Sequence, residues 1–169
     1  MKLNTKELVT LALLSALLFV LQVALAFIPN IELVSILIMI YTLIYGKKTL
    51  YIIYTFALLQ GLIYGFGIWW LMYLYVWTIL FFVVSFLKKN QSVILWAIVA
   101  AIFGFTFGFL CSIPYFIMGG IGAGLAWWST GISFDLIHGF GNFFIVLVLF
   151  KPLYSVIFAL SKLSKSTND

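Results

Sequence analysis

Residues 93–113 read VILWAIVAAIFGFTFGFLCSI, an apolar run that contains no charged side chain. A helix of about 20 apolar residues crosses the hydrocarbon core of a bilayer, and this run has that length. Its apolar residues are continuous, whereas a strand of a membrane barrel alternates, so the run predicts a helix. Similar runs extend the pattern outward along the chain. Their breaks predict six spans, at about 7–27, 31–45, 49–64, 69–86, 93–113 and 134–150.

The composition of the 169-residue chain argues against a water-soluble domain. Charged residues make up 8% of the chain and hydrophobic residues 66%, whereas a soluble domain carries about 25% charged residues. The net charge of +5 does not indicate nucleic-acid binding, because the chain has no arginine and its lysines lie at the ends of apolar runs. We therefore predict a single transmembrane domain, an all-α bundle of six helices in the lipid bilayer, with no nucleic-acid partner.

The lysines predict the orientation of this bundle. With six spans and a cytoplasmic N-terminus, the outer loops contain no lysine, as the positive-inside rule requires. Five or seven spans would break the pattern. Both termini are therefore expected in the cytoplasm. The lysines on that side are Lys2, Lys6, Lys47, Lys48, Lys88, Lys89, Lys151, Lys162 and Lys165.

Two segments leave alternatives open. The first span, with its lysines and the small residues Ala24 and Ala26, is similar to a signal peptide, but its apolar run is longer than a usual one and we expect it to be retained. Residues 114–131 form the longest outer connection and are too apolar for a flexible aqueous loop. They either fold back as a lid or re-entrant turn, or extend the neighbouring helices at the interface.

A polar stripe in the last span is the sharpest functional signal. Asp135, His138 and Asn142 have the spacing of one helix face. Ionisable groups inside a membrane are costly and usually functional, so we predict a solute site there. The alternative is an internal Asp–His pair that holds helices together. Glu32, at the start of the second span, is a further candidate contact, although the helix dipole alone accounts for an acid at that position.

Aromatic residues near the outer side are expected to wall this site. Such residues often form an interfacial belt, but here they concentrate on one side, which favours a pocket for a flat polar ring. The predicted wall consists of Trp69, Trp70, Tyr73, Trp127 and Trp128.

The sequence gives no sign of an enzyme. It has no phosphate-binding loop, so it is not expected to hydrolyse ATP. One histidine, one cysteine and few carboxylates provide neither a catalytic triad nor a metal cluster, and we expect no metal and no cofactor. Ala12 and Ala16 form a small-residue pair on the first span, which suits close contact with another helix.

Taken together, the chain resembles the substrate-binding S components of energy-coupling factor (ECF) transporters, the prokaryotic vitamin importers. The resemblance rests on LALLSALLFVLQ, PNIELVSILIMIYTLIYGKK and FDLIHGFGNFFIVLVLFKPL, on the size, on six spans and on the Ala12/Ala16 pair. It covers nearly the whole chain, although S components share little sequence and no single motif is diagnostic.

This resemblance implies a location in a prokaryotic cell membrane and high-affinity binding of one vitamin or related micronutrient near the outer surface. It also implies association with a membrane coupling protein, the T component, and two ATPase subunits, which supply the energy for uptake. Ala12 and Ala16 match the alanine motif through which the family meets its coupling protein. It does not identify the vitamin. The alternative function is a small proton-coupled secondary transporter in which Asp135 and His138 relay the proton.

Overall fold

The computed structural model describes residues 3–166, with side chains as far as Lys162, and every regular element in that range is helical. Lys2 and the side chain of Lys165, both assigned above to the cytoplasmic side, lie outside what is described. The helices are α1 (Thr5–Ala24), α2 (Val34–Tyr45), α3 (Thr49–Tyr64), α4 (Ile68–Leu87) and α5 (Val93–Ser166), and a 3₁₀ turn (Gly46–Lys48) joins α2 to α3.

The membrane assignment is confirmed in its coarser form. Four helical stretches of the described chain are long and apolar enough to cross a membrane: Thr5–Ala24, Val34–Tyr64, Ile68–Leu87 and Val93–Lys162. The count of six separate spans is not obtained from length and apolarity. The predicted break at Gly46–Lys48 is a 3₁₀ turn that joins α2 directly to α3, so the two form one continuous apolar stretch. After Ile113 the helix continues without a break, so α5 is also one long stretch.

Two prolines that were expected to end spans lie inside α5. The helix continues through Pro114 and through Pro152, so the predicted ends at 113 and 150 are wrong as helix ends. Each proline removes one backbone N–H, but the flanking hydrogen bonds remain, and apolar membrane helices tolerate proline for this reason.

Helix α5 reverses direction at one residue, Gly120. Its φ of 74° and ψ of −174° are not helical, and they divide α5 into a first arm, 93–119, and a second arm, 121–166. The backbone N–H of Gly108 donates to the Asp135 carboxylate across the arms over 2.8 Å. Residues 114–131 therefore extend the two neighbouring helices up to a tight turn, which is the second of the two alternatives considered for this segment.

At the turn, we predict that position 120 accepts only glycine. Its backbone conformation is restricted almost to glycine, and another residue there costs about 1–3 kcal/mol. We therefore expect Gly120→Ala to lower the free energy of unfolding by that amount, measured by thermal or denaturant unfolding of the purified protein. Gly122→Ala is the matched control, because Gly122 has no positive φ and its added Cβ would meet nothing within 4 Å. Equal stability of the two variants would contradict this turn.

The helices bring at least four of the described lysines to one end of the bundle. At the start of α1, the side chain of Glu7 pairs with Lys48 of the 3₁₀ turn. We call this end of the bundle the lysine end. A groove lies there, formed by the end of α2, the connection between α4 and α5, and the second arm of α5. Lysines of that groove are Lys88, Lys89 and Lys151.

The opposite end carries the start of α2, where the Glu32 carboxylate, and not Asn30, caps the helix. Asn30 has a φ of 57°, in the left-handed region, and lies four residues before the helix. The Glu32 carboxylate accepts a hydrogen bond from the backbone N–H of Ser35 over 2.8 Å. An acceptor there satisfies a free amide at a helix start and complements the dipole.

Large apolar side chains cover the outside of the bundle. Leu13 is 66% exposed, Phe86 87% and Val148 68%, and exposure of so much apolar surface indicates contact with lipid rather than with water. The polar side chains of the interior include Gln60, Asp135, His138 and Asn142, all buried. The interior of the bundle therefore holds the polar side chains that could contact a ligand.

Candidate functional site

The polar stripe of the second α5 arm faces the interior of the bundle. Asp135, His138 and Asn142 are 7%, 3% and 2% exposed. Asp135 contacts the first arm of α5, whereas the other two side chains contact the start of α2. His138 contacts Glu32, and the Asn142 amide donates to the Ser35 hydroxyl over 3.3 Å. The predicted shared face is thus observed, and it joins three elements.

His138 and Glu32 form a pair of oppositely ionisable side chains at this end of the bundle. The Nε2 atom of His138 lies 3.3 Å from Oε1 of Glu32, so an imidazole that carries its proton on Nε2 donates to that carboxylate. The Glu32 side chain also accepts a hydrogen bond from the backbone N–H of Ser35, so two partners fix its position beside the stripe.

Close backbone contact fixes the stripe against the first arm of α5. A Cβ added to Gly104 would lie 2.7 Å from the Cα and N atoms of Gly139, so these two arms touch through their main chains. One turn along, the Asp135 carboxylate fills the space that a side chain at Gly108 would need. The indole of Trp128 lies beside the same carboxylate. Small residues thus allow the arms to approach, as is common in membrane helix packing.

Aromatic rings line the approach to His138. Trp69, Tyr73 and Trp77 stand one turn apart on α4 in edge-to-face contact, with ring centroids 5.6 and 5.7 Å apart. Phe107 continues the series, 5.7 Å from Trp77 and 5.0 Å from the His138 ring. We call the four rings of Trp69, Tyr73, Trp77 and Phe107 the aromatic ladder. Their edge-to-face geometry is the preferred one, so the ladder forms a rigid wall.

A cavity of about 200 Å³ lies against this ladder and the ion pair. Its lining includes Glu32, His138, Tyr73, Trp77 and Phe107, together with Gln22, Leu25, Ala26, Ile28, Pro29, Asn30, Ile31 and Val34. A second cavity of about 320 Å³ shares Gln22 and Ala26 with it and reaches Trp69. Adjoining spaces of this size suit a small organic ligand, for which pockets of about 300–1,000 Å³ are typical.

Two buried ring nitrogens at the cavity have no hydrogen-bond partner among the described residues. These are Nε1 of Trp77, whose side chain is 3% exposed, and Nδ1 of His138. Buried polar groups are normally paired, because leaving one unpaired costs about 1–3 kcal/mol. Both nitrogens belong to side chains that line the cavity, so a ligand with hydrogen-bonding edges can pair them there.

A chain of amides adjoins the site, and the sequence analysis missed it. The Gln60 amide donates to Gln22 over 2.9 Å, and the Gln22 amide donates to the Tyr73 hydroxyl over 2.6 Å. These residues come from three helices. The sequence held a signal for this contact, since Gln22 and Gln60 are the glutamines within the predicted spans. Trp77 and Phe107 were missed because nothing in an aromatic-rich sequence separates a site ring from a core ring.

The remaining predicted wall residues lie elsewhere. The Trp70 indole donates to the Ala57 carbonyl over 2.8 Å and packs toward α3. Trp127 stacks on Tyr115 at 4.9 Å, and Trp128 contacts Phe109 at 5.3 Å, so both tie the arms of α5 together. None of the three lines either cavity described above, because helix periodicity turns them away from His138. Ala12 and Ala16 are exposed on α1.

The chemistry of this site is hydrogen bonding and aromatic contact. In the described part of the chain, no three His, Cys, Asp or Glu side chains come together as metal ligands. Comparison with protein-family models, with curated proteins and with solved structures found no match for this chain. Its function is therefore argued from the cavity and its surroundings.

Proposed function

We propose that this protein is the membrane-embedded S component of an energy-coupling factor transporter, the subunit that binds a water-soluble vitamin or related micronutrient with high affinity. The observation that carries the proposal is the cavity between Glu32, His138 and the aromatic ladder. Its walls offer ring faces, while its edges offer a carboxylate, an imidazole and an indole N–H. A flat heterocycle with donors and acceptors on its rim matches both features.

The course of the chain supports six crossings of the membrane. α1 runs from Glu7 at the lysine end to Gln22 at the cavity, and α2 returns from there to the groove beside Lys88. α3 and α4 repeat this passage through the second cavity. The first arm of α5 runs from Val93 to Phe107, and the second from His138 to Lys151. We therefore propose that the two longest helical stretches each cross twice, with the lysine end in the cytoplasm of a prokaryotic cell.

Energy for uptake is assigned to partner subunits. The sequence has no phosphate-binding loop, so a coupling protein and two ATPase subunits would supply the work. The outward face of α1 is the proposed docking face for the coupling protein. Ala12 and Ala16 are exposed there, and such small residues permit close approach of a second helix.

A thermal-shift screen tests the binding role. The purified protein is heated with each of a panel of water-soluble vitamins, and one of them is expected to raise the unfolding temperature. A ligand that binds only the folded state at 100 times its Kd stabilises it by about 2.7 kcal/mol. An unchanged unfolding temperature with every ring-containing vitamin would count against the proposal.

A proton-coupled transporter is the second candidate, and the His138–Glu32 contact is what favours it. His138 contacts Glu32, whereas Asp135 accepts from the backbone of Gly108, so Glu32 would join the relay. Uptake into liposomes separates the two functions. The S component is expected to give no uptake driven by a pH gradient in the absence of ATPase subunits, whereas the secondary transporter would.

Substitutions on the proposed docking face should reduce uptake without reducing ligand binding. Ala12→Trp and Ala16→Trp place a bulky ring on an exposed surface remote from the cavity, so ligand affinity should stay within about twofold of wild type. Uptake by the assembled transporter should fall at least about tenfold, because the coupling helix can no longer approach. Vitamin uptake in cells and ligand binding by the purified protein measure the two effects.

Val148→Trp is the control for these variants. Val148 is 68% exposed on α5, so its replacement adds the same ring to a lipid-facing surface away from α1. Its uptake should equal that of wild type. Parallel loss of binding and uptake in the α1 variants would show that the face supports the fold rather than a partner.

A further inference from the structure

The groove at the lysine end is not used by the proposed transport role. We call it the basic groove, and it has a volume of about 680 Å³. Its rim is formed by Lys88, Lys89 and Lys151, with the side chains of Asn90, Gln91 and Ser155 between them. Trp96, Phe150 and Tyr154 form its floor, together with Leu43 and Val93.

No carboxylate of the described residues neutralises the charge of the basic groove. Among residues 3–166 no carboxylate lines the groove. The ion pairs of the described chain lie outside the groove and involve Lys48 and His138. Of the acids in the described chain, Glu7 pairs with Lys48, while Glu32 and Asp135 lie at the opposite end. The groove also includes Val93, the first residue of α5, and the start of a helix adds positive potential. The rim therefore favours an anion.

The floor of the groove indicates that the anion is attached to an apolar body. Trp96 is 1% exposed and stacks on Phe150 at 6.1 Å, and Phe150 stacks on Tyr154 at 6.0 Å. The lysines on the rim place positive charge at the level of the lipid headgroups. The stacked rings of the floor place apolar surface toward the hydrocarbon. Basic pockets between helices on the cytoplasmic side are suited to phospholipid headgroups.

From this geometry we infer that the basic groove is a binding site for an anionic phospholipid, with the phosphate group on Lys88, Lys89 and Lys151 and the glycerol and first acyl carbons against Trp96 and Phe150. Phosphate is the chemistry recognised, and the bilayer is its source. The amides of Asn90 and Gln91 supply neutral donors to the headgroup. The inference is independent of the solute bound at the other end.

Native mass spectrometry of the full-length protein in detergent tests the inference. Phosphatidylglycerol is the anionic probe and phosphatidylcholine the neutral one. Wild type is expected to retain one phosphatidylglycerol with at least about tenfold preference over phosphatidylcholine. Each lysine near a membrane surface changes anionic-lipid affinity about fivefold, so Lys88→Gln combined with Lys151→Gln should weaken phosphatidylglycerol binding about 25-fold.

Lys162→Gln is the matched control. Lys162 is an exposed lysine on the same α5 arm, stands over the Phe158 ring and does not line the groove. Its loss should leave phosphatidylglycerol binding unchanged. Addition of glycerol 3-phosphate or inorganic phosphate at millimolar concentration should not displace the lipid, because neither has an apolar body for the floor.

Three results would overturn the inference. Equal retention of the two lipids would remove the anionic preference, and displacement by soluble phosphate would assign the groove to a free anion. Unchanged lipid binding in the Lys88→Gln, Lys151→Gln protein with loss of uptake in the assembled transporter would assign it to an acidic segment of a partner protein instead.

Discussion

His138→Ala is expected to abolish high-affinity ligand binding, with a loss of at least about 100-fold. The substitution removes a cavity-lining ring whose Nδ1 has no partner in the described chain and whose Nε2 contacts Glu32. It also leaves the Glu32 carboxylate, 15% exposed, without its imidazole partner, so the free energy of unfolding should fall as well. Titration of the purified variant with the vitamin selected by thermal shift measures the loss.

A second substitution separates the loss of the ligand contact from the loss of stability. In the His138→Ala background, Glu32→Gln neutralises the unpaired carboxylate and should recover most of the lost stability. Ligand affinity should stay low, because the imidazole is still missing. Thr106→Val is the control, since Thr106 is exposed on α5 and its hydroxyl donates only within its own helix. Wild-type affinity in His138→Ala would refute the assignment of the cavity.

Gly104→Ala should clearly destabilise the protein although it adds only one methyl group. The new methyl group would lie 2.7 Å from the Cα and N atoms of Gly139 and 2.8 Å from the carbonyl carbon of His138. Backbone atoms cannot rotate away, so the two arms of α5 must separate. Overpacking of this kind costs about 1–3 kcal/mol, and the separation also weakens the hydrogen bond from Gly108 to Asp135. Unfolding of the purified protein measures the loss.

The same substitution at two other glycines of α5 grades the effect. At Gly139 the added methyl group would meet the ring of Phe105, a side chain that can turn, so Gly139→Ala should cost less than Gly104→Ala. At Gly131 it would meet nothing within 4 Å, and Gly131→Ala should be neutral or stabilising by up to about 1 kcal/mol through helix propensity. If the stability of Gly104→Ala matched that of Gly131→Ala, the two arms could not be in backbone contact.

Helix positions were the most predictable part of this protein. The predicted span 49–64 coincides with α3, and 69–86 differs from α4 by one residue at each end. Both are bounded by glycine or lysine, which end apolar runs clearly. Proline misled the prediction at Pro114 and Pro152, because in an apolar helix the missing hydrogen bond is a local cost that the rest of the helix outweighs.

The candidate site was predictable only in part. The stripe of Asp135, His138 and Asn142 follows from the 3.6-residue period, and its burial agrees with that prediction. Its ligand role stays a prediction. The partner of His138 could not be read from the stripe, because Glu32 is 106 residues away along the chain. The contact of Gln22 with Gln60 and Tyr73 has the same origin, in the packing of three helices.

The sequence alone determined that this chain is helical, apolar on its surface and charged at the ends of its helices. Those properties follow from side-chain transfer energies and from backbone hydrogen bonding, which act on each segment separately. The tertiary structure decided which of four neighbouring glycines, at 119, 120, 122 and 124, makes the turn. It also decided which rings wall the cavity and which acid meets the histidine. Those choices depend on close contact between distant segments, as where Gly104 touches Gly139, and no local preference encodes them.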